Sequence, residues 1–283
     1  MPTRRNFLTT LGAGIGASTL GPARLLGAMT PATLHLQRVG IQLYTLRGLM
    51  EKDVEGTLAK IASLGYNEVE FAGYFGRTPD QIRAVLLANH LTSPSSHIPL
   101  PASDDAWKQS VADARAAGHE WAVIPWLDPS VRQTPDVWAR FADRFNQLAA
   151  IARAGGMRFA YHNHDFEFMK VGDQTGMDVL LSKTDPALVD FEMDIYWVTK
   201  AGGDPLDLIQ RYPKRFPLMH AKDATAAPKR AMVDVGRGAI KFAKIFGRER
   251  TSGMQHVYVE HDNPADPLQT ATVSYQYLAG LKY

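Results

Sequence analysis

The sequence predicts an α/β protein, a single-domain (β/α)8 TIM barrel. Two observations carry that expectation. A helix–Gly–strand junction occurs three times, at Leu64-Gly65-Tyr66, Ala117-Gly118-His119 and Gly155-Gly156-Met157. Glycine there fits the left-handed residue that ends a helix before a strand begins. Around these junctions, eight strands alternate with about eight helices over about 245 residues, which suits a closed barrel better than an open doubly wound sheet. No G-x-G-x-x-G motif follows an early strand, so dinucleotide binding is not expected.

The elements follow in order. Val39 to Tyr44 reads as the first strand, and Val54 to Leu64 as a helix. Leu64 to Phe71 holds the second strand. Thr78-Pro79 supplies an N-cap and first-turn proline for a helix to about Asn89. Leu91 to His97 is the third strand, Ala106 to Ala117 a helix, and Trp121 to Ile124 the fourth strand. A long helix runs from Pro135 to Ala154, and Arg158 to Tyr161 opens the fifth strand. Thr175 caps a short helix through Ser182. Strands at Ala187 to Asp194, Phe216 to Lys222 and Val257 to Glu260 complete the set. Helices at Ile240 to Phe246 and Pro267 to about Ala279 follow the last two. The barrel is expected to span residues 38–283.

Residues 1–28 read separately, as an export signal. Arg4-Arg5 precedes Phe7-Leu8 and a mild Gly/Ala/Thr-rich stretch from Leu11 to Leu20, which resembles a twin-arginine signal with cleavage near Ala28. A periplasmic protein, carried folded, is the corresponding expectation. The whole chain has 31 basic and 29 acidic residues. Without Arg4, Arg5 and Arg24 the balance becomes 28 to 29, so the basic excess belongs to the signal and a nucleic-acid partner is not expected. No apolar run is long enough to span a membrane. The chain has no Cys, so a metal would have to be held by His, Asp or Glu.

In such a barrel the C-terminal strand ends converge on one mouth, where chemistry sits. Five of nine His fall at predicted strand ends: His97, His162, His164, His220 and His261. His162, Asp194, His220 and Glu260, from consecutive strands five to eight, supply oxygen and nitrogen donors with no thiolate. That set suits Mn²⁺, Co²⁺, Zn²⁺ or Mg²⁺. His164 or Glu167 would replace His162 as the strand-five ligand if the register shifts. Glu70 and His97 are expected to meet substrate hydroxyls, with Glu70 alternatively pairing with an Arg. Tyr44 stands at the end of strand one, and Trp126 and Trp197 are candidate stacking walls of the mouth. Lys222 is placed to stabilise an oxyanion, or else to pair with Asp194 or Glu192.

Phe191-Glu192-Met193-Asp194, Leu218-Met219-His220-Ala221-Lys222-Asp223 and Tyr258-Val259-Glu260-His261-Asp262 resemble strands six, seven and eight of the xylose isomerase-like TIM barrel superfamily. Val235-Gly236-Arg237-Gly238-Ala239-Ile240 resembles that family's glycine-bracketed turn. The resemblance implies a metal held by Glu, Asp, His and Glu, mapping onto His162, Asp194, His220 and Glu260. His162 departs from the usual carboxylate and is similar to the inosose-dehydratase-like branch. It implies a small-molecule sugar substrate, is compatible with a homodimer, and gives Glu260 the role of base. Lys222 and His164 are the accompanying acid/base candidates.

The leading expectation is a metal-dependent isomerase or epimerase acting through an enediolate on a non-phosphorylated sugar or keto-sugar. The alternatives are a lyase or dehydratase acting by β-elimination on a keto-sugar or 3-keto-glycoside, and a non-catalytic periplasmic carbohydrate-binding barrel. An apurinic endonuclease is disfavoured, since it would need more His and a basic DNA-tracking face.

Overall fold

The computed structural model of the chain describes residues 33–132 and 136–283. The export segment, residues 1–28, lies outside the described residues, as does the start of the helix expected from Pro135. Eight parallel strands close into a barrel: β1 (Gly40–Gln42), β2 (Glu68–Ala72), β3 (Ser95–His97), β4 (Trp121–Ile124), β5 (Arg158–His162), β6 (Val189–Asp194), β7 (Leu218–Ala221) and β8 (His256–Val259). Each strand pairs with its neighbour in sequence and β8 returns to β1, with Gly40 beside Tyr258. This is the single-domain (β/α)8 barrel that the strand–helix alternation predicts.

Side chains alternate along each strand, so every strand feeds two cores. Val69, Phe71, Ile124, Phe159, Phe191, Met219 and Val259 point outward and pack under the helices. Inside the barrel a small separate cluster forms from Trp121, Val123, Ala160, Leu218 and Tyr258. Tyr258 is its centre, and its hydroxyl bonds Ser95 Oγ at 2.9 Å. Gly40 makes room for that ring, because a Cβ there would stand 2.4 Å from Tyr258 Cδ1. Gly40→Ala is therefore expected to overpack the interior and lower stability by about 1–3 kcal/mol, read from the midpoint of urea unfolding. An unchanged midpoint would show that the plug is soft.

The helix boundaries follow local chemistry. Thr78 and Gln81 form a reciprocal capping box at the start of Pro79–Ala88. Ser103 caps Asp104–Ala117, and Gly118 leaves that helix with φ 102°. At the third junction Gly156 (φ 79°), not Gly155, takes the left-handed position. Strands are shorter than the apolar runs suggested. β1 stops at Gln42, whose side chain accepts the Tyr44 N–H and turns the chain into a 3-10 helix at Leu43–Leu46. Two helices not expected from the sequence, Ile195–Lys200 and Pro205–Arg211, are short and start on the side-chain caps of Asp194 and Asp204. Their length gives no readable period. After β7, Asp223 accepts backbone N–H groups from Ala224, Gly236, Gly238 and Ile240, which fixes the glycine-bracketed turn. Gly238 is required there, since a Cβ would lie 2.2 Å from Asp223 Oδ1.

Candidate active site

Above the Tyr258 plug, the inward positions of the strands turn polar. Gln42, Glu70, His97 and Glu192 form a lower layer, His162 and His220 rest on it, and Asp194, Lys222 and Glu260 stand nearer the mouth. Apart from His97, which keeps a little exposure, all are buried. The layer opens into a cavity of about 650 Å³ lined by His97, His162, His164, Lys222, Glu260 and Asp262, with Tyr44, Trp126 and Trp197 among its walls.

One ligating atom from each of His162, Asp194, His220 and Glu260 lies within 4.8 Å of the others. Register explains how. Asp194 sits beside His220, but Glu192 rather than Asp194 sits beside His162, so side-chain reach rather than equal depth gathers the four. His220 Nδ1 is 2.6 Å from Glu260 Oε2, and His162 Nε2 is 3.6 Å from Asp194 Oδ2. Asp194 Oδ1 is occupied in capping the Trp197 N–H, while the buried Oδ2 faces the Lys222 ammonium at 3.1 Å and His162 Nε2 at 3.6 Å. Two imidazoles and two carboxylates that converge in this way, with no thiolate among them, fit a divalent metal of the N/O-preferring kind.

Lys222 is the cation this centre already contains. Its Nζ lies 2.7 Å from Glu260, 3.1 Å from Asp194 and 2.6 Å from Asp262. The sequence alternatives for its pairing were Asp194 or Glu192; the structure chooses Asp194 and adds Glu260 and Asp262. Burial opposes the Lys222 charge, but Asp194, Glu260 and Asp262 outweigh it and hold the ammonium well above its ordinary range. Burial likewise opposes ionisation of Glu260, yet Lys222 and His220 hold its carboxyl well below the usual range. Asp194 rises to about 6 through burial, against the pull of Lys222 and His220. Burial, together with the neighbouring charges, depresses His162 and brings His164 to about 3, so both imidazoles are neutral at pH 7.

The remaining expected residues divide. Tyr44, Trp126 and Trp197 line the cavity, Tyr44 and Trp126 with more than two-fifths of their surface exposed. His164 stands at the rim, its ring 4.7 Å from that of Trp126 and 5.4 Å from Trp197, with Nδ1 unpartnered. It does not join the four gathered donors, and neither does Glu167. Glu167 accepts the Tyr161 hydroxyl at 2.5 Å and the His164 N–H at 2.8 Å, and burial lifts its carboxyl to about 7.

Glu70 departs from expectation. It is fully buried, is not among the cavity walls, and lies 2.7 Å from His220 Nε2 and 2.8 Å from Gln42 Nε2; no Arg reaches it among the described residues. Its carboxylate is instead engaged by His220, His97 and Gln42. His97 reaches the cavity, but its Nε2 lies 2.7 Å from Glu192 and 3.2 Å from Glu70. Sequence reasoning assigned Glu192 no site role of its own, although it stands two residues before Asp194 and so on the same face of β6.

Comparison with known proteins follows the same outline. The family model described as "Xylose isomerase-like TIM barrel" matches residues 58–278. An inosose dehydratase of Geobacillus kaustophilus is 25% identical over 232 residues, covering 68% of this chain and 74% of that protein. An inosose dehydratase of Lacticaseibacillus casei is 30% identical over 174 residues, 54% of this chain and 57% of that protein. The chain thus spans little more than half of the second relative. A crystal structure described as a sugar phosphate isomerase/epimerase from Parabacteroides distasonis is 27% identical, covers 86% of this chain and 98% of its own, and superposes with a TM-score of 0.74.

Proposed function

Because this chain belongs to the xylose isomerase-like TIM barrel family, we propose that it is a divalent-metal-dependent lyase that removes a β-substituent, water in the simplest case, from a keto-sugar or keto-polyol. The observation that carries this reading is the contact of a buried carboxylate with a buried ammonium, Glu260 Oε2 to Lys222 Nζ at 2.7 Å, at the floor of the cavity. The relatives described as inosose dehydratases support elimination over the isomerase/epimerase reading that leads from the sequence alone.

His162, Asp194, His220 and Glu260 would hold the metal, and a divalent cation bound there would supply Lewis-acid polarisation of a carbonyl oxygen. The chain's own groups do the rest. Glu260, ionised at pH 7, takes the proton from the carbon next to the carbonyl. The C–H electrons form the new carbon–carbon double bond and expel the β-substituent. Lys222 gives a proton to a departing hydroxyl, which leaves as water, and regains one from Glu260 across their contact. Neutral His164 presents one N–H and one lone pair to substrate hydroxyls at the rim. Trp126 and Trp197 offer faces to the apolar side of a sugar ring. His162 makes the arrangement asymmetric, because a symmetric epimerisation would use a second free carboxylate where the imidazole stands.

NMR of candidate keto-inositols and keto-sugars in D₂O, with Mn²⁺ and with chelator, tests this. Metal-dependent deuterium uptake at the α-carbon together with loss of the β-substituent is the expected result. Uptake with every substituent retained would return the reaction to isomerisation or epimerisation. No uptake and no bound metal would sink both and leave a carbohydrate-binding barrel.

A further inference from the structure

Beneath the four gathered donors lies a second ring of polar atoms that the proposed reaction does not use. Its members, Gln42, Glu70, His97 and Glu192, come from strands one, two, three and six, and their contacts fall between 2.7 and 3.2 Å. His97 Nε2 lies 2.7 Å from Glu192 Oε2 and 3.2 Å from Glu70 Oε2. His220 Nε2 lies 2.7 Å from Glu70 Oε2 and 3.1 Å from Glu192 Oε2. Glu192 Oε2 also lies 2.9 Å from His162 Nδ1. Both imidazoles of the mouth cluster therefore place one nitrogen toward the mouth and the other against this lower layer. His162 shows Nε2 to Asp194 and Nδ1 to Glu192; His220 shows Nδ1 to Glu260 and Nε2 to Glu70 and Glu192.

We infer that Glu192 is a positioning residue that fixes the tautomer and ring orientation of His162 and shares that task with Glu70 at His220. This rests on the metal reading of the mouth. An imidazole ligates through a lone pair, so its other nitrogen must carry the proton and needs an acceptor. In a wet site water would serve. Here His162 and His220 are almost wholly buried, and the carboxylates are the acceptors within reach among the described residues. A carboxylate behind an imidazole also raises its basicity, and removing such a partner typically costs 10- to 100-fold in metal affinity. His97 completes the layer. Its ring stacks on His220 at 5.4 Å with the planes 9° apart, and its Nε2 bridges Glu70 and Glu192. It holds the two carboxylates together against His220.

The same atoms form a group of metal-ligating type: His97, His162, Glu192 and His220. Filling it together with the mouth would require His162 and His220 to ligate through both nitrogens, each giving up a further proton. A single metal above a charged, hydrogen-bonded layer avoids that cost.

Two measurements on the full chain decide the matter. Long-range ¹H–¹⁵N NMR of the metal-free protein reads the tautomers, and Co²⁺ titration against a competing chelator reads affinity and stoichiometry. The expected results are a His162 protonated on Nδ1, one Co²⁺ per chain, and Co²⁺ binding 10- to 100-fold weaker in Glu192→Ala. Glu192→Gln, which keeps an acceptor but loses the charge, should fall between, and it carries the affinity arm if the alanine variant does not fold. The inference is overturned by a His162 protonated on Nε2, or by variants that bind Co²⁺ as the wild type does. It is also overturned by a second Co²⁺ per chain that His97→Gln abolishes. A wild type that binds no Co²⁺ removes the metal reading, while the tautomer measurement on that sample still decides this one.

Discussion

Glu260→Gln is expected to lower turnover by about 100- to 10,000-fold, the usual contribution of a positioned general base. Glutamine keeps the size of the side chain and an oxygen that Lys222 can reach; it removes the proton acceptor, and also a buried negative charge from beside Lys222 and His220, so some loss of stability accompanies the loss of turnover. The carboxylate is held ionised by Lys222 and His220 despite full burial. The amide that replaces it cannot take a proton from carbon at neutral pH. The readout is the rate of α-deuterium uptake by NMR at saturating metal, so that weaker metal binding does not stand in for lost base. Uptake at the wild-type rate would move the base to another residue, with His164 the next group on the cavity wall.

Lys222→Met should have a large effect of a different kind. The ammonium is the counter-ion within 3.1 Å of Asp194, Glu260 and Asp262, and two of these carboxylates are almost wholly buried. Removing one partner of a buried ion cluster leaves uncompensated charge and costs about 3–5 kcal/mol. Methionine preserves most of the volume, so packing loss contributes little. The destabilisation is expected in chelator-treated protein and should shrink when a divalent cation is added, because a cation held by the proposed ligands would stand among the same carboxylates. Urea unfolding with and without Mn²⁺ checks both parts. A variant as stable as wild type in chelator would mean that the carboxylates take up protons at little cost. Turnover should stay low even with metal restored, since the proposed proton relay to the leaving group would be gone.

The barrel was legible in the sequence because its signals are local and repeated. A glycine must follow each of three helices in a left-handed conformation, and Gly65, Gly118 and Gly156 have φ of 108°, 102° and 79°. The gathering of His162, Asp194, His220 and Glu260 was legible for a similar reason, as polar residues at strand ends point to one mouth. What stayed hidden depends on register between strands. Glu70 and Asp194 both read as polar groups near strand ends, yet Glu70 ends beneath His220 while Asp194 ends beside Lys222. Nothing in a single strand tells how far it is staggered against its neighbour. Glu192 was nearer to hand, since period-two alternation places it under Asp194 on the same face. The short helices after β6 were missed because an aspartate cap, rather than an apolar period, starts them.

The Tyr258 plug has a consequence for traffic. Trp121, Val123, Ala160, Leu218 and Tyr258 seal the barrel below the polar layer, so a substrate that reaches Glu260 comes and goes by the mouth. Arrival and departure share one passage. Product must clear it before the next molecule can enter, and the two compete for the same vestibule. In the proposed reaction the proton lifted by Glu260 would be confined as well. Its outlets are the ammonium beside it or the mouth, and while substrate fills the mouth the ammonium is the nearer.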